Sequence, residues 1–190
     1  MMSPDVELFR WINQFAGHTP WLDAVMVACA TWSPTIFALV LVGCWIRWRP
    51  EWQRAAALAA LAALLSLGVG QLIGLAVLRP RPFTVMPATV LVPHAADSSF
   101  PSDHATLALA VTVMLMTVSR RLGWTLIAFS MLVLVSRVYL GVHFPTDVLG
   151  GAALGASGAW VMLRLARLPS VGRWIDAAFL LLRRLRLAAP

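Results

Sequence analysis

The chain has 190 residues, of which 60% are hydrophobic and only 12% charged, and its mean hydropathy is +0.80. A soluble domain carries about 25% charged residues, so this composition excludes an ordinary water-soluble fold and indicates one integral-membrane domain over residues 1–190. The net charge of +7 comes from Arg alone, with no Lys; basic residues beside apolar runs point to cytoplasmic loops and anionic membrane lipid, not to nucleic acid.

The N-terminal segment 1–20 contains "PDVELFRWINQF", in which aromatic and aliphatic side chains alternate with charges. Such a pattern predicts a helix lying in the membrane interface. Asp5 and Glu7 stand where a secretory signal carries positive charge, so no cleavable signal is expected. Pro20 to Trp48 is apolar but longer than the roughly 20 residues that one upright span needs. Ser33-Pro34 reads as an N-cap and first-turn proline, which predicts a short helix from Trp21 to Thr31, a break, and a spanning helix to Trp48. Further spans are predicted from Trp52 to Leu78, His104 to Val118, Gly123 to Tyr139 and Asp147 to Leu165. The stretch 79–103, rich in Pro and polar residues, is an external loop of functional length. Residues 170–190 form an amphipathic tail. The expected fold is all-α, a polytopic membrane helix bundle of five or six transmembrane helices. Cys29 and Cys44 lie inside apolar stretches and suggest neither a metal site nor a disulfide.

Arg47, Arg49 and Arg54, then Arg120 and Arg121, then the Arg-rich tail fall at alternate helix ends and hence on one side of the membrane. The positive-inside bias makes that side cytoplasmic. The opposite side collects "LRPRPF", "FPSDH" and "SRVYLGVHFPTD". Arg79, Arg81, Ser102, Asp103, His104, Arg137, His143 and Asp147 therefore converge at four helix ends. Ionisable groups at membrane depth are costly and usually mark function.

These residue types suit a phosphate. Guanidinium groups bind its oxygens in pairs. Helix starts at Ser102 and Asp147 offer free N–H groups and a positive dipole end. Two histidines supply a nucleophile and a proton donor, although the residues alone do not say which attacks. An Asp four residues after His143 is placed to accept a hydrogen bond from its ring. Taken singly, the same residues read as interfacial anchors or helix caps; the shared face carries the inference. His18, His94 and Asp97 receive no chemistry.

"FPSDH" and "SRVYLGVHFPTD" resemble the second and third signature motifs of the type 2 phosphatidic acid phosphatase superfamily. Ser136, Arg137, His143 and Asp147 fit the third motif at every position. Asp103, where the second motif usually has Gly, is similar to the branch of bacitracin-resistance-type undecaprenyl-diphosphatases. Arg81-Pro82 fits the end of the first motif, but Gly74 stands at its Lys. "LFRWINQFAG" and the helix layout extend the likeness over most of the chain.

The resemblance implies a metal-independent membrane hydrolase with no cofactor. It implies that His143 is the nucleophile, Asp147 its orienting partner, and His104 the acid and then the base. Arg81, Ser102 and Arg137 are implied phosphate ligands, with Ser136 and Asp103 beside them and Arg79 expected on a second phosphate. The expected activity is hydrolysis of undecaprenyl diphosphate, a step of cell-wall biogenesis, on the outer face of a bacterial plasma membrane. Other lipid phosphates are alternatives: phosphatidylglycerol phosphate, phosphatidate or a lipid A phosphate. A small transporter or lipid-binding protein would have no need of the His104, His143 and Asp147 set and would hold its charges near the midplane.

Overall fold

The computed structural model describes residues 3–189, and they form eight helices: α1 (Pro4–Asn13), α2 (Pro20–Ile46), α3 (Pro50–Val77), α4 (Pro82–Val85), α5 (Asp103–Met116), α6 (Arg120–Tyr139), α7 (Pro145–Leu165) and α8 (Pro169–Arg184). Proline opens six of them, where its missing N–H goes unnoticed and its fixed φ favours the first turn. Helices α2, α3, α6 and α7 are long and apolar enough to cross a membrane. The shorter α5 runs through the middle of the bundle, packed against α7, α3, α6 and α2, so it crosses inside protein and needs no lipid-length span. The protein is a multi-pass membrane helix bundle.

The expected break at Ser33-Pro34 is absent. Pro34 lies inside one continuous helix, α2. Proline leaves the carbonyl four residues back without its usual N–H donor, here that of Ala30. The Ser33 hydroxyl donates to that carbonyl at 3.3 Å, so a local side chain replaces the lost backbone donor. With 27 residues, α2 is about 40 Å long and makes a single crossing. Among the described residues five helices cross, the four of span length and α5.

Small residues face inward and large ones outward. On α3, Ala55, Ala56, Ala59, Ala62, Ala63 and Gly70 are buried while Leu64, Leu65, Leu72 and Leu75 are exposed. Lipid gives no reason to hide Leu, and close backbone approach gives one to place Ala and Gly inside. Helices α5 and α7 approach backbone to backbone. A Cβ on Gly151 or Gly155 would collide with the carbonyls of Ser102 and Thr106. This contact brings the starts of α5 and α7 together, and the Ser102 N–H donates to the Asp147 carbonyl at 3.1 Å.

The helix ends on that side are knitted further. Asn13 of α1 donates to the carbonyls of Thr89 and Tyr139 at 2.9 and 2.8 Å and accepts from the Thr89 N–H at 2.9 Å. The Tyr139 hydroxyl donates to Asp23 of α2 at 2.6 Å. Gly141 turns the chain out of α6 with φ +78° against the Thr89 carbonyl, a conformation and an approach that only glycine tolerates. On the opposite side α8 is amphipathic and has no buried residue; Asp176 pairs with Arg54 at 2.5 Å and Phe179 stacks near Trp45.

Candidate active site

Between α3, the α4–α5 loop, the start of α5, the end of α6 and the α6–α7 turn lies a cavity of about 370 Å³. Arg81, His104, Arg137 and His143 line it. Asp103 joins them, so five of the residues expected from the sequence share one space. Gly74 and Gly70 form part of the α3 wall. Position 74 faces the Phe100 carbonyl and Ser98, so a longer side chain there would enter the cavity that Gly leaves open.

His143 sits in the short turn between α6 and α7 and is only 3% exposed. Its Nδ1 is 2.8 Å from the Ser99 carbonyl. A carbonyl only accepts, so Nδ1 carries the proton and Nε2 presents its lone pair. Arg81 Nη1 lies 3.3 Å from that Nε2. Burial, then the positive charges of Arg137 and Arg81, push the imidazole well below the usual histidine range. The ring is therefore neutral at pH 7, the form a nucleophile needs. Because kcat/KM reports the free enzyme, its acid limb is expected below about pH 6.5, the ordinary imidazole value. A limb at or above that value in a pH–rate profile would contradict this environment.

Arg137 is 4% exposed, and its Nε and Nη2 have no protein partner. The Ser102 hydroxyl is likewise buried without a partner. An N-cap serine normally accepts from the first turn of its helix, but Ser102 makes no such bond. Buried donors are almost always satisfied, so the unused ones of Arg137 on the cavity wall point to an anionic ligand, whereas Ser102 does not itself line the cavity but sits between Pro101 and Asp103, which do.

Asp147 lies behind His143 and is fully buried. Its Oδ2 is 3.7 Å from His143 Nδ1, too far for the expected hydrogen bond. Oδ2 instead accepts from the Phe144 N–H at 2.7 Å, closing the first turn of α7. Asp147 thus fixes the turn that carries the ring.

Arg79 does not reach the cavity. It donates to Asp147 Oδ1, Thr146 Oγ1 and Asp5 Oδ2, each at 2.6 Å. Asp5 also accepts from the Thr146 N–H and hydroxyl at 3.0 and 2.7 Å. Partial burial raises the Asp5 carboxyl, but the hydrogen bonds of Thr146 and Arg79 outweigh it and hold the group below the usual range. The N-terminal helix is thus clamped to the back of the site. Arg79→Ala is expected to lower turnover about tenfold or more, the scale of a charge-assisted hydrogen bond. The loss should be equal for mono- and diphosphate lipids, because the residue acts through Asp147; a loss confined to diphosphates in parallel assays would restore a direct phosphate contact.

Ser136 also stays out of the cavity, its hydroxyl donating to Val133 within α6 at 2.7 Å. Asp103 accepts from Gln71 Nε2 at 2.9 Å, not from an arginine. Sequence reasoning missed several neighbours. Asp97 accepts from Arg81 Nε at 2.7 Å, and His94 lines the cavity with its ring centroid 6.3 Å from that of His143. Partial burial raises the Asp97 carboxyl, but the Arg81 bond and charge outweigh this and keep it ionised. Burial, then the charge of Arg81, lowers the His94 imidazole. Asp5, Gln71 and the Ser99 carbonyl carry no motif that would have marked them.

A model of the PAP2 superfamily matches residues 55–168. The chain is 33% identical to undecaprenyl-diphosphatase BcrC of Bacillus subtilis, over 85% of this chain and 84% of that protein. It is 31% identical to an undecaprenyl-diphosphatase of Sulfolobus acidocaldarius, over 88% of this chain and 80% of the other. Among solved structures it superposes on a transmembrane PAP2-type phosphatidylglycerolphosphate phosphatase from Bacillus subtilis with a TM-score of 0.65 and 26% identity, covering 84% of this chain and 85% of that one. The helix layout, the two histidines at paired helix starts and these matches together make the chain a member of the PAP2 superfamily.

Proposed function

We propose that the protein is a membrane lipid phosphatase that converts undecaprenyl diphosphate to undecaprenyl phosphate and inorganic phosphate. The observation that carries the reading is the pairing of an unprotonated His143 Nε2 with the unused donors of Arg137 at one cavity. In the first step Nε2 attacks the terminal phosphorus, and the bond from phosphorus to the bridging oxygen breaks. That oxygen leaves on undecaprenyl phosphate and takes a proton from His104, whose imidazolium form the substrate's negative charge favours. The phosphohistidine keeps its Nδ1 proton on Ser99, and its positive ring faces Asp147. In the second step His104 takes a proton from water, the water oxygen attacks phosphorus, and the P–N bond breaks. Arg81, Arg137, Ser102 and the start of α5 neutralise the equatorial oxygens throughout. These cations do the work that a metal does elsewhere, so activity should persist in excess chelator.

Release of phosphate from undecaprenyl diphosphate, phosphatidylglycerol phosphate and phosphatidate by the purified protein, with chelator present, tests this reading. The highest kcat/KM is expected on the diphosphate. The fold shared with a phosphatidylglycerolphosphate phosphatase favours that lipid as the second reading, and a higher value on it would replace the first.

We place the site on the outer face of a bacterial plasma membrane. Only Arg10, Arg79, Arg81 and Arg137 lie on the side of the cavity, and every other Arg lies at the opposite helix ends, among them Arg47, Arg120, Arg164 and Arg183. In a background lacking Cys29 and Cys44, Ala95→Cys should react with an impermeant thiol reagent added to spheroplasts, and Glu51→Cys should not. The reverse pattern would put the site inside the cell.

A further inference from the structure

Arg81 and Arg137 enter the same cavity in different states. Arg137 keeps two buried donors unused. Arg81 has five N–H groups, and the structure engages four of them. Nη1 donates to the Val142 carbonyl at 2.9 Å and meets His143 Nε2 at 3.3 Å. Nη2 donates to the Ser98 carbonyl at 3.3 Å, and Nε donates to Asp97 at 2.7 Å. The Nε and Nη2 pair is an edge with which a guanidinium grips a phosphate through two parallel bonds. Residues 97 and 98 of the α4–α5 loop cover that edge. Arg81 is buried at 5% exposure, whereas Asp97 is 63% exposed, so the carboxylate sits at the outer end of the contact and can swing outward. The bond to Val142 holds the guanidinium in place when it does.

We propose that Asp97 is a built-in competitor for the phosphate on Arg81, setting how tightly the site holds a phosphoryl group and how readily it releases inorganic phosphate. An arriving phosphate displaces the carboxylate from Nε. When the second step has produced free phosphate, Asp97 returns to Arg81 and opposes its retention. The contact also keeps Arg81 oriented before substrate arrives. Because the same displacement precedes binding of every phosphate group, it weakens substrate and product alike and acts on KM and product inhibition more than on the chemical step. The proposal rests on the phosphatase reading of this cavity, but not on which lipid is the substrate.

The experiment uses the full chain in detergent with inorganic phosphate as probe. Ligand that binds only the folded state raises the unfolding temperature according to its affinity, so phosphate titrations of wild type, Asp97→Asn and Asp97→Ala give apparent Kd values without any lipid. Both variants should bind phosphate roughly two- to fivefold more tightly, the range for an ion pair with an exposed partner, while Asp97→Glu behaves as wild type. KM for the lipid should fall by a similar factor. Unchanged or weaker phosphate binding in both neutral variants would overturn the proposal and leave Asp97 as an orienting residue only. Phosphate protection that tightens in the variants, without turnover of undecaprenyl diphosphate, would fail the substrate assignment and not this one. No protection by phosphate in any of the four proteins would overturn both.

Discussion

Replacing His143 by Ala is expected to reduce turnover by roughly 10⁴-fold or more, the scale on which loss of a covalent nucleophile is felt. No neighbouring group can substitute. The ring of His94 lies 6.3 Å from that of His143, on a different loop and without the Ser99 bond that fixes the attacking lone pair. The fold should survive, because His143 contributes hydrogen bonds to Ser99 and Arg81 but no part of the packed apolar interior. Inorganic phosphate should still bind, since Arg137 and Ser102 keep their unused donors. A purified His143→Ala protein that binds phosphate but retains more than about a hundredth of wild-type kcat would remove His143 from the nucleophile's role, because general acid–base effects alone are of the order 10²–10⁴.

The second large effect is at His104, and its size should depend on the substrate. A general acid contributes roughly 10²–10⁴-fold, and it contributes most when the leaving oxygen is strongly basic. From a lipid monophosphate the leaving group is an alkoxide. From undecaprenyl diphosphate it is a phosphate monoester, a far weaker base that leaves with less help. His104→Ala should therefore lower kcat/KM on phosphatidate near the top of that range and on the diphosphate near the bottom. The comparison must use kcat/KM, which reports formation of the phosphohistidine; the water step that follows is common to both substrates and also needs His104. Equal losses on the two lipids would mean that His104 does not protonate the leaving oxygen.

The elements were legible where composition and punctuation agree. Prolines at positions 20, 50, 145 and 169 follow polar or charged segments, and helices begin at each. Pro34 carries the same local signal after Ser33 yet lies within a helix, because the serine donates to the carbonyl that proline leaves bare. A cap and a repair use the same two residues, and only the fold distinguishes them. The cavity-lining residues with motif spacing, Arg81, His104, Arg137 and His143, could be placed because helices alternate across a membrane. Charge alone points Arg79 at the substrate. Its destination depends on Asp5, 74 residues away, whose position follows from how α1 folds back over α7. Nothing in the sequence marks Asp97 and His94, because a loop without periodicity gives no direction to its side chains. The Ser99 carbonyl, which sets the tautomer of His143, is a backbone group that no residue type announces.

The most direct test of the central claim is to trap the covalent intermediate. Undecaprenyl diphosphate labelled in its terminal phosphate would be mixed with purified protein, quenched within one turnover under alkaline conditions that preserve phosphohistidine, and digested for peptide mapping. Label is expected in the peptide that contains His143. It should be absent from His143→Ala and should persist longer in His104→Ala, where water attack is slowed. Label on His104 or His94, or hydrolysis by wild type with no labelled peptide at any quench time, would contradict the account.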